Sequence, residues 1–354
     1  CVELRGRRAL LGKGVVRMSL PLSVLDFAIV REGVSVREAF LESVELAKTA
    51  ERLGYERVWY TEHHNMSTIA SAAPAVLIAH IATQTERIRL GSGGVMLPNH
   101  SPLTIAEQFG TLAELHPGRI DLGLGRAPGT DQAAVRAMRR DARAAEAFPQ
   151  DVRELQAYLR DQSLVPGIRA IPGAGTDVPL YILGSSLFGA QLAAAYGLPY
   201  AFASHFAPDA LEEATAVYRE QFQPSEQLDK PYVMAAVNVI AHDDPDVARQ
   251  EWEWTKRNRV KSMLTRGRGG FQSFTDQDMD VLMASPAAQQ ILHMLTYTAV
   301  GDRDAVRSYL GDFAERSAAD ELMIAPFGST PEAARDSLRV LRDAILLAAF
   351  RSLW

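Results

Sequence analysis

One pattern constrains this chain more than any other. Short apolar runs, each followed by a helical stretch, return at nearly constant intervals. VLDFAIV (24–30), RVWYTEHH (57–64), IRLGSGGVML (88–97) and RIDLGLGR (119–126) begin about 31–33 residues apart, the length of one strand-plus-helix unit. After the first, Ser35-Val-Arg-Glu38 has the form of a capping box. Val36, Phe40, Val44, Ala47 and Ala50 then recur at helical spacing, and Gly54 supplies the stop. Helical patterns also follow the second and third runs, over 74–84 and 102–115. Four later runs, LYILGS (180–185), YAFASHF (200–206), YVMAAVNVIA (232–241) and ELMIAPF (321–327), are less evenly spaced. Between them lie a polar helical stretch (131–160), Pro/Gly-rich turns (166–179), a segment rich in Arg, Gly, Ser and Asp (257–285), and helical stretches near 286–298 and 302–317. Eight such runs alternating with helices predict an α/β fold: a single closed parallel (β/α)8 TIM barrel with insertions, with a doubly wound open sheet as the alternative. The later runs are apolar nearly throughout, as strands covered on both faces are.

Composition removes several classes of function. The one cysteine is Cys1, which excludes a disulfide scaffold, thiol catalysis and cysteine-ligated metal, and fits a reducing, cytoplasmic setting. No apolar run reaches the ~18 residues of a membrane helix. The net charge is −6, although Arg5, Arg7, Arg8, Lys13 and Arg17 stand against only Glu3 near the start. The rest is therefore acidic, which argues against nucleic-acid binding. Residues 1–17 read as a disordered tail or upstream sequence ahead of a natural start at Met18, and 18–354 as the barrel.

In a barrel the chemistry belongs at the C-terminal ends of the strands. The second run ends Thr61-Glu62-His63-His64-Asn65. Neighbouring residues of a strand point to opposite faces, so the two histidines do not converge on one ion, and no HExxH accompanies them. No metal site is expected; the open readings are structural histidines or a histidine facing a bound substrate or cofactor. The third run holds Gly91, Gly93 and Gly94, which imply a bulge or close approach to a flat partner. The fourth ends Gly123-Leu-Gly125-Arg126-Ala-Pro-Gly129; its spacing is not the dinucleotide fingerprint, and a strand-end arginine among glycines suits a phosphate. The fifth runs through Gly184-Ser185-Ser186 into a helix, a turn able to cap the helix, bind an anion, or both. His205 ends the sixth, and Asp26 interrupts the first, either buried with a partner or lining the mouth.

Together these motifs resemble the bacterial-luciferase-like family of flavin-dependent monooxygenases and oxidoreductases, across nearly all of 20–350. The carriers are LSVLDFAIVREG (22–33), VWYTEHHNM (58–66), IRLGSGGVMLPNHSPLTIAEQF (88–109), GRIDLGLGRAPGTD (118–131), LYILGSSLFGAQLAAAYGLPYAFASHFAP (180–208) and DELMIAPFG (320–328). The resemblance implies a barrel holding FMN non-covalently, with reduced FMN as co-substrate and O2 as oxidant. It assigns the catalytic role to His63. Gly93–Gly94 match a non-prolyl cis peptide on the flavin face, Arg126 matches the phosphate-binding arginine, and Ser185 and Ser186 match the phosphate turn. Asp26, Glu62 and Gly184 join the expected cofactor-binding set. Two positions depart from the family: Gly125 stands where the light-emitting enzyme has a reactive cysteine, and Gly189 replaces a hydroxyl residue of the phosphate helix.

The expected activity is an FMN-dependent monooxygenase acting on an aldehyde, ketone or aromatic natural product. Phe27, Met66, Met96, His205 and Phe206 are the candidate substrate contacts, and 257–285 reads as a lid that excludes water or as plain disordered linker. With no dinucleotide motif, a separate NAD(P)H:flavin reductase would supply reduced FMN. The family further implies a homodimer. The alternatives are a deazaflavin (F420)-dependent oxidoreductase and a flavin-binding protein without turnover.

Overall fold

The capping box forms. Ser35 Oγ accepts the Glu38 N–H at 3.2 Å, and the Glu38 carboxylate accepts the Ser35 N–H at 2.8 Å. The helix it starts ends on Gly54 at φ 73°, the left-handed conformation glycine adopts without strain. The same strand-then-helix logic repeats through the computed structural model, which describes residues 20–265 and 274–351.

Nine strands form: β1 (Leu22–Asp26), β2 (Arg57–Tyr60), β3 (Arg89–Met96), β4 (Ile120–Gly125), β5 (Leu180–Gly184), β6 (Tyr200–Phe202), β7 (Val233–Ala241), β8 (Thr298–Gly301) and β9 (Glu321–Pro326). Every pairing is parallel. β1 to β7 pair in chain order, β7 pairs with β9, and β9 returns to β1, so eight strands close a ring. This closure decides for the (β/α)8 barrel over the open sheet. All eight runs read from the sequence supply these eight strands. The ninth, β8, lies outside the ring against the far half of β7, in a stretch read as helical up to 298.

The helices are α1 (Val36–Leu53), α2 (Pro74–Ala82), α3 (Pro102–Leu115), α4 (Gln132–Ala137), α5 (Phe148–Leu159), α6 (Leu187–Tyr196), α7 (Leu211–Gln221), α8 (Pro245–Leu264), α9 (Asp276–Met283), α10 (Pro286–His293), α11 (Arg303–Ser317) and α12 (Pro331–Arg351). The polar stretch 131–160 is not one helix: it breaks into α4, a 3₁₀ turn (Ala142–Glu146) and α5. Asp131 and Asp141 cap the first two pieces, so competing side-chain bonds explain the breaks. Most of 257–285 is helical as well, belonging to α8 and α9; residues 266–273 lie outside the described residues, as does the tail 1–17. No described helix is long and apolar enough to cross a membrane.

The barrel is closed at the N-terminal ends of its strands. Arg57 donates to Asp121 at 2.8 Å, to Glu321 at 2.9 Å and to the Tyr181 hydroxyl at 2.9 Å, all buried. Leu25, Trp59, Tyr181, Met234, Ala236 and Met323 pack above this polar plug. They form a floor, and the space left open lies at the other end.

Candidate active site

A cavity of about 500 Å³ fills the C-terminal mouth of the barrel. Its walls come from the strand ends that the sequence singled out. Phe27, His63, Met66, Gly93, Met96, Arg126, Gly184, Ser185, Ser186, His205 and Phe206 all line it. Asp26, Glu62 and Gly94 do not. The reason is strand alternation. Leu25 and Phe27 face the cavity, so Asp26 faces away; Trp59, Thr61 and His63 face it, so Glu62 faces away.

These outward residues hold the wall from behind. Asp26 Oδ1 accepts the Ala28 N–H at 2.9 Å and fixes the turn that presents Phe27. Burial raises its pKa, against weaker opposition from Ser43, the Ala28 and Phe27 amides and Arg31. Glu62 is fully buried and accepts from His64 Nε2 at 2.8 Å, His100 Nε2 at 2.9 Å and the Met96 N–H at 3.0 Å. Burial alone would raise its pKa; the His100 and His64 hydrogen bonds, the His100 charge and the Met96 amide bring it down to about 2. Gly94 sits where a Cβ would come 2.7 Å from the Gly123 carbonyl oxygen, so glycine is what allows β3 and β4 to approach. The β3–β4 register shifts between Ser92 and Val95, the bulge expected from the glycine run, and the Gly93–Gly94 peptide is cis.

The two adjacent histidines part company. His64 turns outward onto Glu62, while His63 faces the cavity. β2 stops at Tyr60, and a chain of hydroxyls orients His63 beyond it. Ser71 Oγ donates to the Phe27 carbonyl at 3.1 Å, using its only proton. Thr61 must therefore donate to Ser71 Oγ at 2.8 Å, which spends the Thr61 proton. His63 Nδ1, 3.1 Å from Thr61 Oγ1, must then carry the hydrogen. Nε2 becomes the basic nitrogen. Among the described residues no group of three His, Cys, Asp or Glu could hold a metal ion.

The far edge of the cavity is a donor-rich corner of a kind suited to an anion. The Arg126 guanidinium lies over the Phe188 ring at 4.0 Å, and no described carboxylate pairs with it. Ser186 occupies the N-cap of α6 in extended conformation, yet its side chain makes no capping bond. Both serine side chains and the first amides of α6 are thus left for a ligand. Gly184 and Gly189 lie so close that a Cβ on either would come within 3.3 Å of the other's Cα. The helix start is thereby pressed onto the end of β5. Every group in this corner donates, which is what a phosphate requires.

Sequence reasoning marked 257–285 as a lid but named none of the side chains that α8 brings to the mouth. Arg259 and Met263, four residues apart on one helix face, both line the cavity, as do Met234, Met294 and Met323. The i,i+4 spacing was the available signal. With Met66 and Met96, six methionines give the wall a soft, adaptable apolar surface. His205 is buried; desolvation first, then the charges of Arg259 and His63, push its pKa down to about 3, so it is neutral at pH 7.

Comparison with known proteins places this geometry. The family model described as luciferase-like monooxygenase matches residues 21–346. A luciferase-like monooxygenase of Escherichia coli (strain K12) is 48% identical over 307 residues, 86% of this chain and 91% of that protein. The N-acetyl-S-alkylcysteine monooxygenase of Bacillus subtilis (strain 168) is 34% identical over 254 residues, 70% of this chain and 75% of that one. Among solved structures, apo-MsnO8 superposes with a TM-score of 0.81 at 33% identity, covering 93% of this chain and 99% of its own.

Proposed function

The chain belongs to the luciferase-like monooxygenase family, and on that premise we propose that it is an FMN-dependent monooxygenase that oxidises a small organic substrate with O2. The observation that carries the reading is the anion corner and the oriented His63 opening into one cavity. Arg126, Ser185, Ser186 and the amides of α6 would hold the phosphate of FMN, and Gly93 offers a wall without a side chain to a flat ring. When bound in reduced form, FMN supplies the electrons that activate O2. His63 holds or moves a proton at Nε2, a role suited to an imidazole near neutral pH. Phe27, Met66, Met96 and Phe206 keep water away and contact the substrate, which we take to be an aldehyde, ketone or aromatic natural product. Reduced FMN would arrive from a separate NAD(P)H:flavin reductase, since Gly123, Gly125 and Gly129 do not have dinucleotide-binding spacing. The family-implied homodimer and the segment 257–285 as a lid belong to the same proposal.

Rapid mixing tests it. Enzyme loaded with reduced FMN is mixed with O2 and followed by absorbance. Reoxidation slower than for free reduced FMN, and altered by His63→Gln, supports the reading. Reoxidation at the free rate in both proteins contradicts it.

A further inference from the structure

One charged side chain of the cavity has no carboxylate partner among the described residues. Arg259 reaches the wall from α8, and its guanidinium lies over the Phe327 ring at 4.9 Å. Its Nη2 is shielded from water without a hydrogen-bond partner, and no described carboxylate lies within ion-pair distance. Burial alone lowers its pKa to about 10, so it remains a cation at pH 7. The nearby imidazole, His205, is neutral there and leaves its Nδ1 without a partner. A guanidinium withdrawn from water is costly unless an anion meets it. The face of Phe327 offsets only part of that.

Topology separates this cation from the phosphate corner. Phe327 follows β9 and Arg126 follows β4, and in the closed ring these strands are four apart counted in either direction. Eight strands ~4.8 Å apart and tilted by ~36° enclose a ring ~15 Å across. The two guanidiniums rest on different rings, Arg126 on Phe188 and Arg259 on Phe327. Beside His205, the cavity wall near Arg259 is made of Phe27 and Met263, with Phe327 packed behind Phe27. Resting on the reading of the cavity as a flavin-and-substrate site, we propose that the substrate is an amphiphilic acid whose carboxylate binds Arg259 while its apolar body lies along the methionine and aromatic wall. Arg259 is then a specificity-determining residue: it admits the acid and leaves its neutral analogues weakly held.

The experiment uses the flavin-free protein, with octanoate and octanamide as matched probes measured by calorimetry at pH 7.5. Octanoate should bind at least tenfold tighter than octanamide. Arg259→Gln should bring the two within twofold, and Arg259→Lys should keep part of the preference. Circular dichroism melting confirms that each variant folds. Equal binding of the two probes to the wild type, no octanoate binding at millimolar concentration, or a preference that survives Arg259→Gln overturns the proposal. A parallel titration with oxidised and reduced FMN separates the remaining source of negative charge. If Arg259→Gln weakens reduced FMN tenfold and leaves the probe preference intact, the cation serves the flavin ring and the proposal falls. If FMN fails to bind the wild type, the flavin reading falls, while the octanoate preference is judged by its own titration.

Discussion

Replacing Ser71 by alanine tests the logic that orients His63. Ser71 is buried, and its single proton goes to the Phe27 carbonyl; that direction forces Thr61 to donate to Ser71 and His63 Nδ1 to donate to Thr61. Without Ser71, the Thr61 hydroxyl is free to rotate and donate to Nδ1 instead. A net hydrogen bond contributes roughly 1–1.5 kcal/mol, close to a factor of ten in an equilibrium constant. The Nδ1–H form should therefore drop from about nine-tenths of the neutral imidazole to about half. Leaving the part-buried Phe27 carbonyl without its donor should also lower stability by about 1 kcal/mol. The assay is a long-range ¹H–¹⁵N correlation spectrum of histidine-labelled protein, with the His63 signals assigned by their loss in His63→Gln. Wild type should show a protonated Nδ1 and a non-protonated Nε2, with the two shifts converging in Ser71→Ala and in Thr61→Val. A wild-type spectrum dominated by Nε2–H refutes the reasoning, and so do shifts that Ser71→Ala leaves unmoved.

Three further outcomes follow from buried charge. Arg57→Met leaves the buried Glu321 carboxylate without its cation, and Asp121 with Arg89 alone, and should destabilise the protein by about 3–5 kcal/mol, measured by denaturant titration. Glu62 has a folded pKa of about 2, below its ordinary value, so its stabilisation is present above about pH 4.5 and is lost as pH falls toward 2. That loss is on the order of 3 kcal/mol, and Glu62→Gln should flatten this acid limb of the melting curve. His205 also has a lowered pKa, about 3, but it is neutral when folded, so the unfolded chain takes up its proton first. Stability should fall as pH drops below about 6.5, and His205→Gln should remove that slope between pH 6.5 and 5.

Much of this was legible because a barrel writes itself into the chain with a regular period. The strand-plus-helix spacing located all eight ring strands, and their ends located most of the cavity wall. Asp26 and Glu62 were placed in the cavity although the period-two rule, applied to Leu25-Asp26-Phe27 and Thr61-Glu62-His63, turns both outward. The rule separated His63 from His64 and had the same force one residue earlier. Strand β8 was hidden because four residues between two helices carry no periodicity. Arg259 lies within 257–285, the segment read as a lid, and only its i,i+4 spacing with Met263 signals that it turns toward the mouth. The serine turn left capping and anion binding open; the uncapped start of α6 favours the second.

In the proposed function Arg126 would hold the phosphate tail of a flavin. The direct measurement is a paired titration of FMN and riboflavin, which differ only in that phosphate, by quenching of flavin fluorescence. Wild type should bind FMN at least tenfold tighter than riboflavin, and Arg126→Gln should erase most of the difference while leaving riboflavin binding as it was. Equal binding of the two flavins by the wild type, or an FMN preference untouched by Arg126→Gln, contradicts the account.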